Sequence, residues 1–364
     1  MRILLVGHAY PPYAGGLSHV LYNVSLRLAS MGHEVTVLGL RYGGNAPNIE
    51  LPRLRVIRAM GIAPRESYFA PTHDFIIKFI RLVKEFDPDV VHVHNVGSLI
   101  TPTTIMLAKN LNLIKRVVLT PHHHEEGSRA DTRAMWLIYK PVLRRIIQNV
   151  YRIHTVSNFE RALVLRDFGV DSVVIPNGVS EDVYNVRRED PDDFIVTYAG
   201  RVEDYKRVDL AVKVVAKAQK MINERIRFKV IGNGPAMGRV KRIAKELGVE
   251  LIHMDFLPRT EYLRELSRST VFINLSRYEA FSIVTAEALA LGVPVIVAKP
   301  WGRIFNEFGA KVVDPENIDE AAKSLTNMLS EQPRISAKVP TWSEVVKEYV
   351  SRIYNTDNDR SIRH

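Results

Sequence analysis

The stretch Glu279-Ala280-Phe281-Ser282-Ile283-Val284-Thr285-Ala286-Glu287 sets two carboxylates around the start of a helix that follows a β-branched run, Val271–Leu275. With the helix beginning just after Glu279, the N–H groups of about Ala280 to Ile283 are its free donors and form an anion site. Glu287 lies inside that helix, but helical side chains lean toward the N-terminus, so its carboxylate also reaches the mouth. Carboxylates beside an anion site make poor phosphate ligands. They make good acceptors for sugar hydroxyls, one for a hexose and one for a ribose diol. Ala286, Ala288, Leu289 and Ala290 surround Glu287, which points to a buried carboxylate with donors of its own. The plainer alternative is an exposed helix with two solvated glutamates.

Two cations fit beside this anion site. Ala199-Gly200-Arg201 closes a strand and Lys206 follows. Fixed positive charges on one loop neutralise a diphosphate without a metal, although the same spacing also suits exposed loop cations. The first strand, Ile3–Val6, runs into His8-Ala9-Tyr10-Pro11-Pro12-Tyr13-Ala14-Gly15-Gly16. Glycines at a helix start let a ligand approach the backbone, or simply make a tight turn. The spacing is neither Gly-x-Gly-x-x-Gly nor a P-loop, so no nicotinamide cofactor is indicated.

Other groups invite different chemistry. His92 and His94 end one strand and His122, His123 and His124 follow another, with Glu125 and Glu126 close by. Residues i and i+2 of a strand share a face, which allows a metal and a hydrolase. Neutral hydrogen bonding in a wet cleft is the preferred reading, with His122 at the substrate and the others structural. Asp87-Pro88-Asp89 has the look of an Asp-x-Asp metal site but falls between a helix and a strand, where a helix stop is expected. The segment Arg133 to Ile147 mixes basic and apolar residues. It suits either an anionic membrane surface or a half-buried helix marked by Pro141.

These residues need a scaffold, and the chain supplies one twice. Strands are expected at Ile3–Val6, Glu34–Leu40, Arg55–Ala59, Val90–His94, Val117–Thr120 and Arg152–Val156, with helices such as Leu17–Ser30, Asp74–Phe86 and Phe159–Phe168 between them. Continuous apolar strands separated by helices mean parallel sheets covered on both faces. Pro176-Asn177-Gly178 is a turn, and charged Asn185–Asp193 reads as a surface linker. The pattern then restarts with strand Phe194–Ala199, helix Val208–Met221, strand Phe228–Ile231, helix Gly238–Leu247, strand Val271–Leu275, helix Ser282–Leu291 and strand Val293–Ala298. The expected architecture is α/β, two doubly wound Rossmann-like domains facing across a cleft. Residues 1–178 are expected to form the first domain, 190–340 the second, and 341–364 a C-terminal helix. Ligands in such sheets sit beyond the carboxyl ends of the strands.

Composition agrees. The 364 residues suffice for two cores, and 46% hydrophobic with 25% charged residues is an ordinary globular composition. The absence of cysteine excludes thiolate metal sites, disulfides and a cysteine nucleophile. The first residues lack a signal-peptide pattern and no apolar run reaches a membrane span, so a cytoplasmic protein, peripheral on the membrane if the basic segment docks there, is expected. A net charge of +10 favours anionic partners.

Read together, the motifs resemble those of the GT-B glycosyltransferases, in particular the large retaining family called family 4 or "group 1". They are Pro11 to Gly16, Thr120 with His122, Thr155-Val156-Ser157, Pro176-Asn177-Gly178-Val179, Gly200-Arg201 with Lys206, Val230-Ile231-Gly232-Asn233-Gly234-Pro235, and Glu279 to Glu287 running into Gly292-Val293-Pro294-Val295. The resemblance covers nearly the whole chain. It implies a hexosyl donor, a nucleoside-diphosphate sugar, held by the C-terminal domain with no metal or other cofactor. The acceptor, a glycan or a lipid-linked one, would be held mainly by the N-terminal domain. Arg201 and Lys206 would bind the diphosphate. Glu279, with the N–H groups of Phe281 and Ser282, would hold the sugar and Glu287 the ribose. Gly16 would approach the phosphates from the other domain, His122 would sit against the transferred sugar, and Gly200 and Gly232 join the donor-binding set.

Departures from the family pattern are Ser282, where glycine is common, and Lys299-Pro300-Trp301-Gly302-Arg303 in place of a glycine pair. Trp301 is expected to pack rather than stack on a sugar. Two competing functions remain: a non-hydrolysing sugar-nucleotide epimerase on the same architecture, and a basic nucleic-acid-binding protein. The second lacks a concentrated basic groove or a recognised binding module, so no nucleic-acid partner is expected.

Overall fold

A computed structural model describes residues 1–13, 15–41, 47–62, 69–124, 130–189, 191 and 193–355. The chain divides into two compact units: Met1–Asn177 joined by the segment from Trp342 onward, and Gly178–Thr341.

The first unit is built on strands β1 (Arg2–Val6), β2 (Glu34–Arg41), β3 (Ile49–Leu51), β4 (Leu54–Ile62), β5 (Ala70–Pro71), β6 (Val90–His94), β7 (Val117–Thr120), β8 (Arg152–Thr155) and β9 (Val173–Val174). Their order is β3-β4-β2-β1-β6-β7-β8-β9, with β5 added to β4. All pairs are parallel except those that β3 and β5 make with β4. Ile3, Leu4, Leu5 and Val6 are buried without exception, as a central parallel strand covered on both faces requires. The chain leaves β1 toward β2 and β4, then returns to β1's other side with β6. Because parallel crossovers are right-handed, this reversal puts the connecting helices on opposite faces and makes the β1/β6 junction a switch point.

Helix α1 (Gly16–Ser30) follows β1 and buries Val20, Leu21, Val24 and Leu28, a helical stripe. Helix α2 (His73–Phe86) buries Phe75, Phe79, Leu82 and Val83 and stops at Asp87, which is left-handed at φ 40°. Asp87 pairs with Arg2 and Arg116, and Asp89 accepts the N–H of Arg2. The Asp87-Pro88-Asp89 triplet is thus a helix stop at the amino ends of β1 and β6. The C-terminal segment, helical over Trp342–Glu348 and π-helical over Tyr349–Tyr354, belongs to this unit and buries Trp342, Tyr349, Ile353 and Tyr354.

The second unit holds a six-stranded, all-parallel sheet: β10 (Phe194–Ala199), β11 (Ile226–Ile231), β12 (Glu250–Met254), β13 (Val271–Asn274), β14 (Val295–Ala298) and β15 (Lys311–Val313), ordered β12-β11-β10-β13-β14-β15. The reversal here falls between β10 and β13. The loops leaving those two strands, with Gly200 to Lys206 on one and Leu275 to Ser282 on the other, therefore share one end of the sheet.

Three sequence expectations need correction. The described residues of the stretch expected as a surface linker, Asn185 to Asp193, are tied to the second unit: Arg188 donates to the Gly292 carbonyl, and Glu189 and Asp193 form ion pairs with Arg268 and Arg227. The helix expected over Ser282–Leu291 begins at Ile283, because Ser282 caps it: Ser282 is extended (φ −97°) and its hydroxyl accepts from the Thr285 N–H. Strand β12 and the helix Arg259–Ser267 after it went unread, since β12 is only half-buried and carries no apolar alternation.

Candidate active site

At the β10 end, three glycines fix the backbone before any ligand is considered. Gly200 (φ 134°) and Gly232 (φ 127°) occupy conformations that side chains rarely adopt, and a Cβ on Gly232 would lie 2.2 Å from the Gly200 carbonyl oxygen. A Cβ on Gly234 would lie 2.4 Å from the carbonyl oxygen of Val202. The loop after β11 thus nests against the loop after β10, joined by the Val202 N–H to the Asn233 carbonyl. Close packing of backbone on backbone accounts for Gly232. Buried Tyr198 donates its hydroxyl to the Arg201 carbonyl at 2.9 Å, completing the support under Arg201.

Tyr205 then gathers the cations. Arg201 Nη2 donates to the Tyr205 hydroxyl at 3.3 Å, and Lys206 Nζ stands 4.9 Å from the centre of the same ring. Arg201 also meets Glu203 at 2.7 Å and remains half-exposed. Lys206 reaches the other loop, with Nζ 2.6 Å from Glu279 Oε1 and both side chains largely shielded from water. Burial alone would depress the Lys206 pKa, but the Glu279 carboxylate and the two tyrosines outweigh it and raise it, so the ammonium stays charged. The backbones are tied as well: the Arg277 N–H donates to the Tyr205 carbonyl at 2.8 Å.

Below Glu279 the helix mouth is ordered by Asn274, which donates to Ser282 Oγ at 3.1 Å and accepts from Ser276. The Ser282 carbonyl takes the Ala286 N–H and its hydroxyl that of Thr285. Among the described residues the N–H groups of Phe281, Ser282 and Ile283 are left without an acceptor. The Phe281 ring packs on Phe305 with centroids 5.2 Å apart. Trp301 is fully buried and donates Nε1 to the Ser276 carbonyl at 2.7 Å, so it packs, as expected.

Glu287 belongs to a separate cluster. It is 2% exposed. Arg259 Nη1 donates to Oε1 at 2.5 Å and the Tyr262 hydroxyl to Oε2 at 2.7 Å. The same guanidinium forks onto Asp182, Nε to Oδ2 and Nη2 to Oδ1, both at 2.9 Å. The expectation of a buried carboxylate with donors of its own holds, but the donors were not foreseen. Their signal was Arg259 and Tyr262 at i and i+3 after Pro258, one face of a helix. Tyr205 was missed too, although it adjoins Lys206.

In the first unit, the glycine loop follows β1. A Cβ on Gly15 or Gly16 would meet nothing within 4 Å. Gly15 needs its freedom at φ 142°; at Gly16 neither strain nor packing demands glycine. The loop before them is braced by Arg58, buried at 1% exposure, whose guanidinium donates to the carbonyls of Tyr10, Pro11 and Pro47.

His122 stands in the loop after β7, half-buried and left-handed at φ 49°. Its Nε2 lies 3.2 Å from His94 Nδ1, and burial above all, with neighbouring imidazoles, lowers its pKa to about 3. Its neighbour His123 pins that loop, giving its N–H to Glu160 at 2.7 Å and placing Nε2 2.8 Å from Asp167. His92 and His154 are fully buried, in the core and not in a wet cleft. The Ile175 carbonyl, an obligate acceptor, receives His154 Nε2–H at 2.8 Å. His154 Nδ1 must then accept from Thr120 Oγ1 at 2.8 Å, Thr120 from His92 Nε2–H at 2.6 Å, and His92 Nδ1 from the Tyr354 hydroxyl at 2.6 Å. One carbonyl therefore sets every tautomer in a chain that runs from β9's end to the C-terminal segment. Glu125 and Glu126 lie outside the described residues. Among the described residues no group of three histidine or carboxylate side chains is arranged to hold a metal.

Two family models match in tandem: Glycosyltransferase Family 4 over residues 14–183 and Glycosyl transferases group 1 over residues 180–353. The chain belongs to the GT-B glycosyltransferases of family 4. The transferase is 26% identical to the GDP-mannose-dependent alpha-(1-6)-phosphatidylinositol monomannoside mannosyltransferase of Mycobacterium tuberculosis, over 92% of this chain and 91% of that one. It is 23% identical to the phosphatidylinositol N-acetylglucosaminyltransferase gpi3 subunit of Schizosaccharomyces pombe, over 96% and 77% respectively. Sucrose-phosphate synthase from Thermosynechococcus elongatus has the same fold, with a TM-score of 0.73 at 19% identity over 98% of this chain and 96% of that one. Of the residues read from sequence as the transferase's site, Arg201, Lys206 and Glu279 come together around Tyr205. Ser282 serves as the cap, Glu287 has its own partners, and Gly200 and Gly232 shape the loop. Gly16 and His122 lie at the corresponding end of the first unit's sheet, after β1 and β7.

Proposed function

We propose that this transferase moves a hexosyl group from a nucleoside-diphosphate sugar to a glycan or lipid-linked acceptor, with retention and without a metal. The observation that carries the reading is the Arg201–Tyr205–Lys206–Glu279 cluster beside the N–H groups of Phe281 and Ser282, at the switch point of the second unit's sheet. Two permanent cations supply the charge that a departing diphosphate needs, and fixed donors aimed at developing charge are the largest catalytic term available to such a site. Glu279 accepts from sugar hydroxyls and Glu287 from the ribose diol.

The proposed chemistry is a front-face transfer. The bond between the anomeric carbon and the leaving phosphate oxygen breaks as the acceptor oxygen bonds on the same face, and the acceptor's proton passes to the departing phosphate. Arg201 and Lys206 stabilise that phosphate. His122, kept neutral by its shielded position among other imidazoles, donates or accepts a hydrogen bond at the transferred sugar, and Gly16 offers its backbone to the phosphates. Charge that could attract nucleic acid serves here to attract the sugar nucleotide.

A membrane-associated acceptor has support in the helix Ala130–Ile147. It buries Leu143 and Ile147 but leaves Leu137 and Ile138 at 76% and 79% exposure, with Val142, Arg144 and Arg145 also exposed. Among the described residues no helix is long and apolar enough to cross a membrane. The proposed placement is peripheral, on the cytoplasmic face. Thermal-shift screening against UDP-, GDP- and ADP-hexoses tests the donor class, since specific binding raises the melting temperature by mass action. NMR of the product's anomeric proton then tests retention. Conversion of the donor without any acceptor would replace transfer with epimerisation, and no shift with any sugar nucleotide would overturn the reading.

A further inference from the structure

We infer that Arg259, held by Asp182, is the positioning residue that makes Glu287 a reader of the ribose diol, so that the Asp182–Arg259–Glu287–Tyr262 cluster sets the discrimination between ribonucleotide and deoxyribonucleotide donors. The inference rests on the proposed role of Glu287 and deepens it.

A carboxylate offers about four lone-pair sites, two on each oxygen. In Glu287, Arg259 Nη1 takes one on Oε1 and the Tyr262 hydroxyl takes one on Oε2. One site remains on each oxygen, which matches two adjacent hydroxyls of a ribose. The two donors come from the first turn of one helix, Arg259–Ser267, so they act as a single rigid fork.

Asp182 prevents the guanidinium from doing anything else. Its two oxygens engage Nε and Nη2 side by side, a bidentate geometry that only arginine provides and that fixes the plane of the group. The third nitrogen is then aimed at Glu287. Arg259 also lies 5.6 Å over the Tyr262 ring, which aligns the two donors with each other. Glu287 is nearly dry, whereas Arg259 keeps a third of its surface and Asp182 nearly half. The arrangement is therefore a buried acceptor oriented from the surface side. A buried carboxylate that loses one of its fixed donors turns toward other donors, and that change removes the two parallel acceptor sites. Asp182 follows closely on Gly178, where the second unit begins, so the segment entering this unit is part of the cluster.

The test is calorimetric titration of the full chain with UDP, GDP and ADP, followed by the 2′-deoxy form of the tightest binder. Wild type should prefer the ribonucleotide by about tenfold or more, the effect of losing a hydrogen bond to a charged group. Arg259→Gln should lose most of that preference while binding the deoxy form nearly as well as wild type. Asp182→Asn, whose site is exposed and which should fold normally, should lose part of it. In turnover both variants should raise the donor KM with kcat little changed. Full discrimination in Arg259→Gln and Asp182→Asn, alongside its loss in Glu287→Gln, would overturn the role of Arg259 and leave that of Glu287 standing. Full discrimination in Glu287→Gln as well would overturn the ribose reading itself.

Discussion

Lys206 Nζ lies 2.6 Å from Glu279 Oε1, which joins the two loops that leave the second sheet at its switch point. Neither partner is well hydrated, so each depends on the other. Removing one leaves a shielded, unpaired charge, at a cost of about 3–5 kcal/mol. Lys206→Met should therefore lower both turnover and stability. Arg201→Gln should lower turnover by about 10²–10³ with little change in melting temperature, since Arg201 is half-exposed. Parallel kinetics and denaturation of the two variants check this; equal stability losses would contradict it.

Gly232→Ala should be among the most damaging single changes. Its Cβ would meet the Gly200 carbonyl oxygen at 2.2 Å, in a backbone conformation of φ 127°. Strain and overpacking together should cost about 3 kcal/mol or more. Gly16→Ala meets nothing within 4 Å and should leave stability within about 0.5 kcal/mol while reducing transfer. Urea denaturation beside an activity assay separates the two.

Stability should fall in acid, and histidines should set the window. Burial lowers the pKa of His8 and His122 to about 3 and that of His154 to about 4, and lowers His92 and His94 well below 6.5. Groups depressed in this way contribute stability that is present above their unfolded pKa of about 6.5. Each loses about 1.4 kcal/mol per pH unit as pH drops toward the folded pKa. Glu160, raised to about 7 chiefly by burial, has the opposite sign between about 4.5 and 7 but is one group against several. Urea midpoints from pH 7 to 4 should fall steadily, and His154→Gln should flatten part of that slope. A stability independent of pH over this range would show that these histidines are not buried neutral.

Much of this arrangement can be read in the residues, and the reasons for the remainder are specific. Central strands such as Ile3–Val6 and Val295–Ala298 are apolar throughout because both faces are covered, and that run is visible without coordinates. Strand β12 is half-buried at an edge of its sheet and mixes Glu250 and His253 with apolar residues, so it carries no pattern. Glu279 and Lys206 stood out by type and by position after strands. Their 2.6 Å contact did not, because it joins residues far apart in the chain. The spacing of Arg259 and Tyr262 puts both on one helix face, but their link to Asp182 and Glu287 joins residues far apart in the chain and carries no local signal.

The exposed apolar face of the helix Ala130–Ile147 should bind anionic membranes. Replacing Leu137, Ile138 and Val142 together by serine should reduce co-sedimentation with phosphatidylglycerol vesicles by about tenfold or more, since each side chain forfeits burial worth about 1.5–3 kcal/mol. Solubility and melting temperature should change little. Sedimentation that ignores both anionic lipid content and the substitutions would remove the membrane from the proposal.

The most direct measurement is calorimetric titration of nucleoside diphosphates into wild type, Arg201→Gln and Lys206→Met, each first confirmed folded by circular dichroism. Both substitutions should weaken diphosphate binding by at least about tenfold, the effect of losing a charge-assisted contact, while the affinity for the corresponding nucleoside stays near that of wild type. Undiminished diphosphate affinity in both folded variants would mean that the donor's pyrophosphate is held elsewhere.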